Sequence, residues 1–293
     1  MTVPISFLSD FGLDDEFVGV VHGVIAKVAP DVRVIDVGHR FPRGNVRAAA
    51  LALVRAIQYL PEGVALAVVD PGVGTERRAL AARTPWGCFV GPDNGLLAPA
   101  VAMVGGADLM VSIEDPRFQI PAEGATFAGR DVFAPAAAVL ASGEADIGDL
   151  GPVIDPETVV PLMIPLAEPD GRGGILGEVL WVDAFGNAQT NVSPADLAAL
   201  GLGPGDDVEI EIGGTSHSVR WSSAYGAVPS GEGLVHVDSV GQMAIAVNGG
   251  RAEDRFPVAE RVAVTFRRPR IRRIDLSPAA PAGAEPGEPP STA

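Results

Sequence analysis

Apolar and polar positions along the first half of the chain switch between two periods. Residues 3–8 (VPISFL) alternate and then run apolar, whereas Phe17, Val20, Val21, Val24, Ile25 and Val28 recur at helical spacing behind Asp14 and Asp15. A strand followed by a helix is predicted. Val32 to Val37 reads as a second strand, Asn45 as the cap of a helix through Tyr59, and Val64 to Val69 as a third strand apolar enough to be covered on both faces. The alternation continues with a strand at Cys88 to Val90, a helix from about Asn94, a strand at Leu109 to Ile113 and an Ala-rich helix from Asp131 to Ala141. Elements that alternate in this way predict an α/β domain with a mainly parallel sheet.

Beyond about residue 165 the period shortens to that of strands. EPDGRGG (168–174) is linker chemistry, and after it come ILGEVLWVD, DVEIEI, SHSVRW, LVHVDS, QMAIAVN and RVAVTF. Gly213-Gly214 between Ile212 and Thr215 signals a hairpin, and SPADL (193–197) opens one short helix. The division expected is an α/β domain over 1–167, a linker over 168–174, a smaller all-β, barrel-like domain over 175–270 and an extension over 271–293. From about residue 276 the Pro- and Ala-rich extension is expected to be disordered, because it has too little apolar surface to bury.

Composition narrows the function classes. With 293 residues, 47% of them hydrophobic, the chain is long enough for two cores. Its 21 basic and 37 acidic residues leave a net charge of −16, so phosphate backbones and anionic lipid should be repelled. Neither nucleic acid nor a membrane is an expected partner, and the apolar runs fall well short of the roughly 20 residues a span needs. One cysteine, Cys88, and a start (MTVPISFLSDFG) without a basic or apolar leader predict a cytoplasmic location. Twenty of the basic residues are arginine, with Lys27 alone, a bias expected of a GC-rich bacterial genome.

In a parallel sheet the ligand lies outside the carboxyl ends of the strands. Three polar or glycine-rich stretches stand there: Ser9-Asp10-Phe11-Gly12, Asp70 through Arg78 (DPGVGTERR), and Gly91 to Gly95 (GPDNG). None is a phosphate loop, and the carboxylates would repel a pyrophosphate. Asp10 reads equally well as a turn or cap residue and as an acceptor for a ribose diol. For Asp70 and Arg77 a structural ion pair is the simpler account, and GPDNG is better explained as a turn plus helix cap than as catalysis. His22, His39, His217 and His236 read as surface or satisfied core residues.

Taken together, SDFG, VVDPGVGTERR, VGPDNGLL, TFAGRDVFAPAAA and VDAFGNAQTN resemble the S-adenosyl-L-methionine hydroxide adenosyltransferases, relatives of the 5′-fluorinases and 5′-chlorinases. Each motif alone is weak, but five in order across residues 3 to 266 are specific. The resemblance implies an α/β domain joined to a barrel-like one, a homotrimer with the small-molecule substrate between subunits, and hydrolysis of S-adenosylmethionine to adenosine and methionine. It implies no cofactor and no metal, the sulfonium being the substrate's own leaving group. In family terms Asp10 holds the ribose diol, while Asp183, Phe185 and Asn187 meet the methionine amine, the adenine face and the adenine edge. Tyr225, Ser239, Asn248 and Gly249 complete that pocket. Asp70 and Arg77 match two members of the hydrolases' Asp, Arg, His set, with Arg77 rather than Arg78 at the family position. The third member is missing, because Ala128 stands where the hydrolases have histidine (TFAGRD for TFHGRD). Low activity is therefore expected. The alternatives are a protein that binds S-adenosylmethionine or adenosine without turnover, and a 5′-halogenase, which Asp70 argues against.

Overall fold

The computed structural model describes residues 2–269. Its amino-terminal part runs β1 (Ile5–Ser9), α1 (Phe17–Val28), β2 (Val34–Gly38), α2 (Val46–Ile57), β3 (Gly63–Val68), β4 (Ala79–Thr84), β5 (Gly87–Pro92), α3 (Ala98–Met103), β6 (Leu109–Ser112) and, after a π-helical turn at Gly129–Phe133, α4 (Ala134–Ser142). The six strands form one sheet in the order β2-β1-β3-β5-β4-β6. β1 pairs in parallel with β2 and β3, and β3 with β5. β1 and β3 are buried along their whole length because helices cover both faces. α1 and α4 pack over Phe7, Leu66 and Phe133 on one side, and α2 and α3 pack over Leu8, Phe89 and Leu97 on the other.

One strand is not predicted by the pattern. β4 (ALAART) has three alanines and an outward Arg83, so no run of β-formers marks it, and the pairing that makes it a strand is tertiary. It runs antiparallel to both β5 and β6. This reversal places the start of β4, with Arg77 and Arg78 just before it, at the sheet edge where the other strands end. α3 begins at Ala98 instead of near Asn94. Asn94 is held outside the helix, its amide donating to the Val69 carbonyl at 2.8 Å while its oxygen accepts the Leu96 N–H.

The carboxy-terminal part runs β7 (Glu168–Pro169), β8 (Gly174–Val182), β9 (Ala188–Thr190), α5 (Pro194–Ala199), β10 (Asp207–Ile212), β11 (Thr215–Trp221), β12 (Gly233–Val237), β13 (Met243–Val247), α6 (Ala252–Arg255) and β14 (Ala263–Arg267). β14 pairs with both β10 and β8, so the seven strands from β8 to β14 close into a barrel around Val179, Ile210, Trp221, Ile245 and Phe266. The Ile212↔Thr215 register puts Gly213 and Gly214 in the β10–β11 turn with φ of +58° and +79°, the left-handed pair a two-residue hairpin needs. Within 168–174, β7 pairs with β8, and Asp170 accepts the Arg172 and Gly174 N–H groups in the turn between them. The expected disordered tail lies outside the described residues.

The first turn of α2 fastens the two parts together. Asn45 caps the helix by accepting the Ala48 N–H at 3.0 Å, and its amide donates to Glu260 at 2.8 Å. Two residues on, the buried Arg47 pairs with Glu178 of β8.

Candidate functional site

Three loops at the carboxyl edge of the sheet converge. Asp10 follows β1 directly, and one of its carboxylate oxygens accepts the Gly44 N–H at 2.7 Å. Gly44 in turn packs against Pro71 of the loop after β3, a methyl group on it coming to 3.5 Å of the Pro71 ring. Gly129 packs on Phe11 so closely that a methyl group there would meet the ring at 2.8 Å and have to push it aside. Phe11, Phe17 and Phe127 stack edge to face or tilted beneath this junction, with centroids 5.1 to 6.2 Å apart. Asp10, Asp70 and Ala128 thus come from three separate segments onto one packed floor.

Asp70 is almost fully enclosed. The Arg77 Nε approaches both of its oxygens at 2.9 Å and Nη2 bonds one of them, while the guanidinium lies over the Phe133 ring at 5.1 Å. Arg78 points elsewhere. It donates to Asp93 at 2.8 Å and to Thr158 at 2.8 Å, and Asp93 also accepts the Val160 N–H. The GPDNG stretch is therefore a structural clamp for the 156–160 segment. Arg77 instead faces an open recess of about 550 Å³, lined also by Thr75, Gln119, Glu123, Ala128 and Asp131. Ala128 is 9% exposed on its wall and immediately precedes the π-helical turn. Asp131, in the same wall, is held by Arg130 at 2.6 Å.

A second cluster lies on the barrel. Asp183 accepts the Phe185 and Asn187 N–H groups at 2.9 Å and the Asn187 amide at 3.0 Å, which fixes the turn between β8 and β9. The turn holds Phe185 80% exposed. Tyr225 meets the His236 ring edge to face at 5.0 Å. Burial raises the Tyr225 hydroxyl above the usual phenol range and the charges of Asp183 and Asp238 add to it, with the Asn187 side chain opposing. Asn248 ties the turn after β13 to the loop beyond Tyr225 by donating to the Val228 carbonyl at 2.8 Å, and Gly249 follows it with φ of +72°. Ser239 is exposed on the turn that Asp238 braces through the Val240 and Gln242 N–H groups.

The candidate residues therefore form two half-sites: Asp10, Asp70, Arg77 and Ala128 on the sheet edge, and Asp183, Phe185, Asn187, Tyr225, Ser239, Asn248 and Gly249 on the barrel. Among the described residues no hydrogen bond or ion pair joins the two sets, and the recess at Arg77 is lined by amino-terminal residues alone. One residue that the sequence does not single out is Arg55. Arg55 of α2 shares a recess with Asp238; burial lowers its guanidinium below the ordinary arginine range, against the charges of Asp238 and Asp183. His39 bonds Ser9 and Asp36 with its two ring nitrogens. It is the satisfied core histidine that the sequence suggests, and it immediately follows β2 as Asp10 follows β1.

The SAM hydroxide adenosyltransferase N-terminal domain matches residues 5–151 and the corresponding C-terminal domain residues 177–265. The (R)-S-adenosyl-L-methionine hydrolase of Salinispora tropica is 48% identical over 263 residues, covering 89% of this chain and 97% of its own. A protein of the same name from Thermus thermophilus is 43% identical, covering 88% and 96%. Among solved structures, an uncharacterised conserved protein from Thermotoga maritima superposes with a TM-score of 0.83 at 34% identity, over 90% of this chain and all of its own. With both of its domains matched in order and the barrel closed behind the sheet, the chain belongs to the SAM hydroxide adenosyltransferase family.

Proposed function

We propose that the protein hydrolyses S-adenosyl-L-methionine to adenosine and L-methionine, with water or hydroxide attacking C5′ of the ribose. The new O–C5′ bond forms as the C5′–S bond breaks, its electron pair goes to sulfur, and the water's proton is released. Because methionine departs as a neutral thioether, no acid is needed, and catalysis consists of placing and partly desolvating one water. The observation that carries this reading is the Arg77-locked Asp70 beside the recess. Arg77 lines the recess and grips both oxygens of the enclosed Asp70, so the pair is read as a fixed unit that orients the water. Asp10, one oxygen fixed by Gly44, offers the other to the ribose hydroxyls. Ala128 can neither bond the water nor take its proton, so turnover is slow. A halide placed at the same point would face the Asp70 charge, which weighs against halogen transfer.

The half-sites are read as parts of one pocket formed between copies in a homotrimer, the barrel of one subunit covering the sheet edge of the next. Phe185 supports this: an aromatic ring held 80% exposed by a rigid turn of three hydrogen bonds is an adenine-stacking surface that lacks its other wall. A cytoplasmic, bacterial setting fits a single cysteine whose thiol burial pushes up, away from reactivity. Among the described residues no helix is long and apolar enough to cross a membrane. The substrate carries its own activated leaving group, so the reading requires no cofactor. The test is chromatography of S-adenosylmethionine after incubation with and without chloride. Adenosine and methionine are expected in both. A chlorinated nucleoside would make the protein a halogenase, and unchanged substrate with measurable affinity would make it a binding protein.

A further inference from the structure

Behind Asp10 lies a chain of polar side chains that the proposed chemistry does not use. Ser9 is completely buried at the end of β1, and its hydroxyl lies 2.7 Å from His39 Nδ1. His39, itself buried, places Nε2 3.0 Å from Asp36 of β2, and His22 of α1 brings its Nε2 to 2.8 Å from the same Asp36 oxygen. A carboxylate only accepts, so His39 Nε2 carries the hydrogen, and in the neutral ring Nδ1 is left to accept the Ser9 hydroxyl. Phe7 packs on the buried His39 ring at 4.6 Å, and the half-exposed His22 ring lies 6.1 Å from it. The register of β1 on β2 slips here, Phe7 pairing with Asp36 but Leu8 with Gly38. The extra residue of β2 turns His39 back toward β1.

The ties made by this chain surround Asp10. The Phe11 N–H points to the Ser9 hydroxyl at 3.4 Å, so the residues on either side of Asp10 share one oxygen. Gly12 donates to the His39 carbonyl at 2.7 Å, and Gly44, in the loop that His39 opens, donates to Asp10 itself at 2.7 Å. The loop carrying the carboxylate and the loop that orients it are thus joined at three points, two of which are His39.

We propose that His39, through Ser9 on one side and Asp36 with His22 on the other, is the positioning residue that holds the Asp10 carboxylate in register with a ligand's ribose diol. This rests on the reading of Asp10 as the diol acceptor. Its readout is the preference for adenosine over 2′-deoxyadenosine, measured by calorimetry on the full chain, because a general loss of packing would weaken both nucleosides alike. The wild type should prefer adenosine, and Asp10→Ala should abolish the preference. Loss of one well-placed tie is expected to reduce it about tenfold in His39→Ala and about threefold in Ser9→Ala, which removes only a hydroxyl and guards against a His39 variant that does not fold. His39→Asn, whose amide reaches Ser9 much as Nδ1 does, should recover part of the preference. Combining Ser9→Ala with His39→Ala should add little to His39→Ala, as expected for one chain. A wild type without preference, or an Asp10→Ala variant that retains it, overturns the reading of Asp10 and this proposal with it. Should Asp10→Ala abolish the preference while folded Ser9→Ala and His39→Ala keep it intact, the positioning role alone is refuted.

Discussion

At Ala128 the wall of the Arg77 recess offers a methyl group where water attack benefits from a base. An imidazole at this position would have a recess of about 550 Å³ beside it, lined also by Arg77, whose guanidinium rests on the Phe133 ring. Ala128→His is accordingly expected to raise turnover by roughly 10²–10⁴, the range of a positioned general base, with little change in affinity. Ala128→Gln, able to orient water but not to take its proton, should recover less. Initial rates, affinities and products across pH 6 to 9 for the three proteins check both statements, and a histidine variant no faster than the parent would remove the hydrolytic reading. Asp10→Ala should weaken adenosine binding by about 1.5–3 kcal/mol, the cost of a lost charge-assisted acceptor, as calorimetry would measure. Cys88, half-buried in β5 and with its thiol raised by burial, behaves as a small hydrophobe; a Cys88→Ala protein is expected to keep its turnover.

Among elements, the β7–β8 hairpin carries the clearest pH signature. The backbone N–H groups of Arg172 and Gly174, and then the Arg267 guanidinium, lower Asp170 to about 2, below the 3.8 of a free aspartate. A carboxyl more acidic folded than unfolded stabilises the fold above its unfolded value, and that contribution disappears as pH falls through the folded one. Asp170→Asn is therefore expected to lower the Tm most above about pH 4, with the gap to the wild type closing toward pH 2. Thermal melts at one-unit steps would reveal it, and a gap that does not narrow would show that Asp170 acts without its charge.

The same elements separate what was legible in the sequence from what was not. Val64 to Val69 announced a doubly covered strand by its apolar run, Asn45 announced a helix start, and Gly213-Gly214 announced a hairpin. All are local signals. β4 was invisible because nothing in ALAART favours a strand until β5 and β6 lie on either side of it, and the α3 start was misplaced because Asn94 serves Val69, 25 residues away. At the site, spacing brought out Asp10 and the DPGVG loop. Only the family position favours Arg77 over Arg78, since the two stand side by side before β4 and part only in their partners, Asp70 and Asp93, and the bonds of His39 required His22, Asp36 and Ser9 to meet from three elements.

For the whole molecule, the proposed sharing of one pocket between subunits predicts a concentration dependence. If one subunit's barrel completes another's sheet edge, adenosine affinity should fall as the protein is diluted below its assembly constant, in step with the mass measured by light scattering. A monomer that binds as tightly as the assembly would show that each chain carries a complete pocket. The charge of −16 on every copy makes low salt the more stringent condition for this experiment, since mutual repulsion between subunits is least screened there.

Closure of the barrel also bears on how the chain is made. Its closing stave, Ala263–Arg267, is the last of the seven strands to leave the ribosome, yet it must insert between β8, begun at Gly174, and β10. Throughout the interval of synthesis between them, β8 and β10 present unpaired edges to every neighbouring nascent chain, while the amino-terminal sheet has all of its strands and is free to fold. Premature termination before Ala263 would therefore release a polypeptide with a finished first domain and an open, adhesive second one, a substrate for chaperones and proteases rather than a smaller enzyme.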